Sequence, residues 1–168
     1  TFVILLSLWG SSVIDVMDGL SAGVFIPILL TLAAVAWTKG FVDIATFLVV
    51  VVGSTAAFLW YNIAPAKVYM GDSGALGILL TIGVVAMLIN AVYIIPISGI
   101  MLVCTAGSNI IQITSKKFFK RKVFRAAPLH HHFESLGLTR NQIVMRYWLV
   151  TIIASAIALV IALLFGAR

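Results

Sequence analysis

The chain has 168 residues, 62% of them hydrophobic and only 10% charged, with a mean hydropathy of +1.19. Soluble domains run near half apolar and a quarter charged, and disordered chains need low hydrophobicity, so both classes are excluded. The net charge of +6 would suggest nucleic acid in a soluble protein; in a membrane protein its placement along the chain matters more, and no nucleic-acid partner is expected.

In chain order, six apolar segments stand out: Thr1–Ile14, Leu20–Trp37, Phe41–Trp60, Gly74–Asn90, Ala91–Thr114 and Ile143–Phe165. Most have the roughly 20 residues that a bilayer-crossing helix needs. Runs this continuous are not lipid-facing barrel strands, which alternate, and backbone groups in hydrocarbon must bond internally, so helices are expected. The first segment is short and starts at Thr1 without a charged leader, so the chain is expected to begin partway through a helix, as a fragment. The expectation is an all-α, polytopic membrane bundle of about six transmembrane helices, the first truncated, in one domain over 1–168. Pro27 and Pro96 are candidate kinks, and Gly53–Ala56 is a small-residue patch suited to close helix approach. The single Cys104 permits no intrachain disulfide.

The connections 15–19, 61–73 and 115–142 fall on one side, and Thr38–Gly40, the Asn90/Ala91 junction and Gly166–Arg168 on the other. The first side carries nine of the eleven Lys and Arg residues, counting Arg146 at the helix end, and the second carries only Lys39 and Arg168. By the positive-inside rule the first side is cytoplasmic. Four of the five acids, Asp15, Asp18, Asp72 and Glu134, share that side; Asp43 does not.

Three loops are candidates to carry chemistry. In the first, Asp15 and Asp18 stand three residues apart, on one face if helical, and paired hard oxygens suit Mg²⁺ held jointly with substrate phosphates. Gly19 permits close approach by backbone or ligand; the plainer alternative is two interfacial acids solvating a helix end. In the second, Pro65 breaks the helix, Lys67 and Tyr69 offer a phosphate-seeking cation and a flat ring, and Asp72 precedes the next span, either as a metal-linked carboxylate or as an N-cap. The third joins the basic run Lys116–Arg125, suited to topology and anionic lipid, to His130-His131-His132. Adjacent side chains diverge, so zinc held by this run alone is disfavoured, and phosphate binding or proton transfer is favoured.

Together these residues resemble a known family. Ala127–Glu134 reads APLHHHFE, similar to the histidine signature of the phospho-N-acetylmuramoyl-pentapeptide transferases, and the flanking KRKVFR and VMRYWLV fit that family's last loop and helix. Asn62–Gly74 resembles its N-x-x-P-A-x-V-F-M-G-D-x-G loop, and Ser12–Leu20 its N-x-V-N-x-x-D-G-L-D-G-L element. The likeness runs through the whole chain and corresponds to the C-terminal half of a ten-helix fold.

The resemblance implies transfer of phospho-N-acetylmuramoyl-pentapeptide from its UDP derivative to undecaprenyl phosphate, giving lipid I and UMP, with Mg²⁺, at the cytoplasmic face of the bacterial plasma membrane. Membrane lipids and a second copy of the chain are the further partners expected. It implies Asp18, Asp72 and His130 as catalytic, Gly19, Leu20, Asn62, Lys67, Tyr69, His131 and His132 as substrate-binding, and Asp72 with Asp15 as metal-linked. Ser21 stands where the family has its second Asp in the first element, and Ser12 and Asp15 stand where Asn is usual. The family's Asp-Asp pair on an earlier helix has no counterpart, so the chain alone is expected not to turn over substrate. A related N-acetylhexosamine-1-phosphate transferase, and an inactive or transporter-like membrane partner, are the competing expectations.

Overall fold

The computed structural model describes residues 17–165. The segment 1–14, with Ser12 and Asp15, lies outside the described residues, so the expectations placed there have no structural counterpart. All regular structure among the described residues is helical. The long helices are α1 (Leu20–Thr38), α2 (Val42–Asn62), α3 (Gly71–Leu88), α5 (Ile100–Phe119) and α7 (Arg140–Phe165). Between them lie a 3₁₀ turn (Val92–Ile94), the four-residue α4 (Ile95–Ser98) and the short α6 (Leu129–Ser135). Helices α1, α2, α3 and α7 are each long and apolar enough to cross a membrane, and residues Val92–Ser98 with α5 form a bent pair that makes a fifth crossing if it is one span. The chain is a multi-pass membrane protein.

α1 is the central pillar. Phe25, Ile28, Leu29 and Leu32 are fully buried, and the helix packs against α2, α3, α4 and α7. Lipid is as apolar as leucine, so association here rests on close packing, with small residues such as Ala33 and Ala36 of α1 and Ala158 and Ala162 of α7 all buried and Gly23 of α1 against Trp148 of α7. Pro27 does not break α1, and the Thr31 hydroxyl donates to the Pro27 carbonyl at 2.9 Å. α2 offers α1 a single stripe, Ala45, Leu48, Thr55 and Asn62, while Phe47, Val49 and Val50 face outward. Of the Gly53–Ala56 patch only Thr55 is buried, and a Cβ on Gly53 would meet nothing within 4 Å.

The span expected over Ala91–Thr114 is not one helix. α4 and α5 meet at a 79° bend, and the break falls at Gly99, three residues beyond Pro96. Pro96 sits in the first turn of α4, where its missing N–H costs nothing. The Gly99 N–H bonds Ile95 O at 2.8 Å, and a Cβ at Gly99 would lie 2.9 Å from that oxygen, so the backbone folds back where only glycine leaves room.

The connections after α1 and α3 are closed by matching caps. After α1, Phe41 N–H reaches Ala36 O and Gly40 N–H reaches Trp37 O; after α3, Ala91 N–H reaches Ala86 O and Asn90 N–H reaches Met87 O. Both are Schellman motifs, with Gly40 and Asn90 in the left-handed conformation that the motif requires. Lys39 Nζ then donates to Ile89 O at 2.9 Å and Asn90 O at 3.2 Å. The two connections assigned to one side by hydropathy are therefore physically tied, with a cation on the negative end of a helix.

Candidate active site

The opposite side begins at the first turn of α1. Gly19 holds φ 77°, and its N–H donates to Asn62 Oδ1 at 2.9 Å. Asn62 Nδ2 donates to Val68 O at 2.8 Å, Ala66 N–H donates to Asp18 Oδ2 at 3.1 Å, and Lys67 N–H donates to Tyr61 O at 2.8 Å. From the last helix, the Trp148 indole N–H donates to Gly19 O at 3.0 Å. A Cβ on Gly23 would overlap the same indole ring, and one on Gly19 would lie 3.3 Å from it, so both glycines make space for Trp148. Asn62 is buried at the end of the α2 stripe, and removing its amide would orphan the Gly19 N–H, at about 1–3 kcal/mol.

The loop from Asn62 to Met70 is thus anchored at both ends, by Asn62 and by Met70 packed against the core. Its middle projects: Lys67, Tyr69 and, one turn on, Asp72 are exposed. Asp72 is not an N-cap; α3 starts at Gly71, and Met70 is the capping residue without a side-chain cap bond. Leu20 is wholly buried among the helices, so its side chain anchors the turn rather than facing solvent.

The histidine triplet forms α6, a helix within what the sequence presents as a loop. His131 N–H bonds Pro128 O, and the far end closes through Leu138 N–H to Phe133 O and Gly137 N–H to Glu134 O. Helical geometry sends the three rings apart. His130 is fully buried with both ring nitrogens unpartnered by any described residue, and burial, then the charge of His131, lowers its pKa from 6.5 to about 4. His132 is half-buried, with its ring edge-on to Phe124 at 5.5 Å between centroids. His131 Nδ1–H donates to Glu134 Oε2 at 2.7 Å, and Arg140 Nε–H donates to Glu134 Oε1 at 2.8 Å. The bond from His131, then that from Arg140, holds the Glu134 carboxyl below its ordinary range.

Two further residues frame this unit. Gln112, buried on α5, accepts Val123 and Phe124 N–H at 3.1 and 3.0 Å and donates to Phe124 O at 3.0 Å, fixing the basic loop before α6. Arg140 opens α7, and its Nε–H bond to Glu134 ties that helix to α6.

The structure therefore joins Asp18, Gly19, Asn62 and the loop bearing Lys67 directly, and gathers His130, His131 and His132 on α6. Arg140 and Trp148 of α7 link α6 to the first turn of α1. No described contact joins Tyr69 or Asp72 to these groups. Among the described residues no three His, Cys, Asp or Glu side chains are grouped to hold an ion. An exposed single carboxylate such as Asp72 fits Mg²⁺, which commonly takes one or two carboxylates and completes its shell with substrate phosphates and water.

A family model described as glycosyl transferase family 4 matches residues 1–90. The chain belongs to that family. Among curated relatives it is 40% identical over 143 residues to the phospho-N-acetylmuramoyl-pentapeptide-transferase of Rubrobacter xylanophilus, covering 85% of this chain and 43% of that protein. It is 36% identical over 174 residues to the protein of the same name from Campylobacter curvus, covering 95% and 49%, and 33% identical over 177 residues to that from Fusobacterium nucleatum, covering 94% and 49%. The chain spans about half the length of the curated relatives it matches.

Among family features, the tie of Asn62 to Gly19 was within reach of the sequence, because both fall in signature loops. Trp148, Gln112 and the Glu134–Arg140 pair were not singled out. Trp148 and Gln112 are a lone polar-tipped ring and a lone amide in apolar helices, a pattern that itself asks for a buried partner.

Proposed function

We propose that this chain forms the C-terminal half of a membrane enzyme that transfers phospho-N-acetylmuramoyl-pentapeptide from its UDP derivative to undecaprenyl phosphate, releasing UMP, on the cytoplasmic face. The observation that carries the reading is the hydrogen-bonded knot of Asp18, Gly19, Asn62 and Ala66, which brings together two loops distant in sequence, both resembling the family's nucleotide-handling elements. Family membership and the names of the relatives agree with it.

Phosphoryl transfer depends mainly on positioning and charge neutralisation. Asp72 would hold Mg²⁺, which supplies neutralisation of the diphosphate when bound. The exposed Tyr69 ring offers a stacking face for the uracil, and Lys67 offers a cation to the phosphates. Asp18, fixed by the Ala66 N–H, keeps one carboxylate oxygen outside that bond. His131 is the member of the triplet with both exposure and a carboxylate partner; His130, neutral and buried, shapes the site from beneath.

The test joins the chain to the segment its relatives carry upstream and measures UMP release with lipid phosphate and Mg²⁺. UDP-N-acetylmuramoyl-pentapeptide should be used, Asp72→Asn should lower kcat at least 100-fold, and Asp43→Asn should leave it within twofold. Turnover of UDP-N-acetylglucosamine instead would favour the related hexosamine transferase, and loss on Asp43→Asn with retention on Asp72→Asn would favour a transporter.

A further inference from the structure

We propose that Glu134 is a positioning residue that fixes the tautomer and orientation of His131, leaving Nε2 as the ring nitrogen presented to a ligand phosphate. The role in turnover rests on the transferase reading above; the geometry does not.

Glu134 lies three residues after His131, one turn on within α6, so the two side chains share a face. A carboxylate is an acceptor only, so the 2.7 Å contact requires the proton on Nδ1. Neutral imidazole carries one proton, and when Nδ1 holds it, Nε2 carries the lone pair; when the ring is charged, Nε2 is a donor. In either state the carboxylate dictates which nitrogen faces outward, as an outer partner does for a metal-bound or catalytic histidine.

Glu134 is itself held. Its other oxygen accepts Arg140 Nε–H at 2.8 Å, and Arg140 is the first residue of α7. The strut His131–Glu134–Arg140 therefore ties the histidine helix to the helix that also carries Trp148, whose indole closes the Gly19 turn. His130 and His132 have no such arrangement: the ring nitrogens of His130 and Nδ1 of His132 are buried with no partner among the described residues. Within the triplet, His131 is the ring whose orientation is imposed by a carboxylate. Arg140 lies mostly in solvent, so its share is to restrain the carboxylate rather than to bury it.

The experiment is nitrogen-15 NMR of the histidine-labelled chain in nanodiscs, which reports the tautomer of each ring, with UMP release by the joined polypeptide measured alongside. The expected result is the Nδ1–H tautomer at His131, converting to the water-favoured Nε2–H form in Glu134→Ala, while His130 keeps its signals. kcat should fall at least tenfold with KM for the UDP substrate within twofold. Glu134→Asp, one methylene short of Nδ1, should give a mixture and partly restore kcat, and it serves as the readout if the alanine variant does not fold. Arg140→Gln should keep the tautomer and lower kcat two- to fivefold. An unchanged His131 tautomer in Glu134→Ala overturns the proposal, as does a converted tautomer with unchanged kcat. If the unsubstituted joined polypeptide releases no UMP, the transferase reading fails, and the tautomer data alone then decide whether Glu134 sets the ring.

Discussion

At the scale of single residues, the two histidines side by side in α6 behave as different chemical groups. His130 is folded away and neutral, with a pKa of about 4 against 6.5 in the unfolded chain. Between those values the unfolded state binds more protons, so stability increases with pH across that window and is lost as pH falls from 6.5 toward 4. A shift of this size corresponds to about 3 kcal/mol, and Glu134, held low by its partners, loses its own contribution in the same direction at lower pH. Thermal unfolding in detergent should therefore show Tm dropping steadily from pH 6.5 to 4.5, and His130→Asn or His130→Gln should flatten that slope. An equal slope in the variants would contradict the burial of a neutral imidazole. The resemblance assigns His130 a catalytic role and His131 and His132 substrate binding; only the helical turn, with 100° between neighbours, separates a core residue from a surface one.

At the scale of elements, the spans were legible because hydrocarbon demands long apolar helices, and four of them begin or end within a few residues of the apolar segments. The misses have local causes. α7 starts at Arg140 rather than Ile143 because Thr139 and Gln142 exchange bonds, Thr139 N–H to Gln142 Oε1 and Gln142 N–H to Thr139 Oγ1. This is a capping box, written in the sequence as Thr-x-x-Gln, which hydropathy does not register because the apolar run starts later. The break at Gly99 was masked by its neighbour Pro96, which looked the stronger breaker. Contact between α1 and α7 depends on Gly23, whose missing Cβ admits the Trp148 ring. Gly23→Ala gains helix propensity of about 1 kcal/mol but must expel the indole and its bond to Gly19, so a net loss of about 1–3 kcal/mol is expected. Pairing it with Trp148→Ala should recover part of that loss, a coupling that a double-mutant cycle on Tm would measure; simple additivity would show the two groups not to compete.

At the scale of the whole molecule, the two faces are built differently. One is sealed by backbone caps and Lys39 reaching over to Ile89 and Asn90; the other spends side chains, Asn62, Asp18, Trp148, Gln112 and Glu134, on holding loops open in defined shapes. Charge asymmetry along the sequence already marks the two sets of connections as different. The pairing of particular loops was not legible there, because it arises from packing between helices that lie far apart in sequence. With Cys104, the chain's single cysteine, replaced by Ser, a membrane-impermeant maleimide applied to intact spheroplasts should label Thr38→Cys and not Lys122→Cys, and inverted vesicles should reverse the pattern. Labelling of both from one side would break the assignment of faces.

The peptide group of Gly19 also sets an order of events during synthesis. Its N–H waits for Asn62, 43 residues on, and its carbonyl waits for an indole 129 residues on. Emerging from the ribosome amino end first, the chain carries an unfinished corner from the synthesis of α1 to that of α7, and that corner closes only when α7 seats beside α1. A nascent chain arrested before residue 148 would keep its early helices in the bilayer yet leave that carbonyl to water, so completion of this corner is a late checkpoint of assembly rather than an early one.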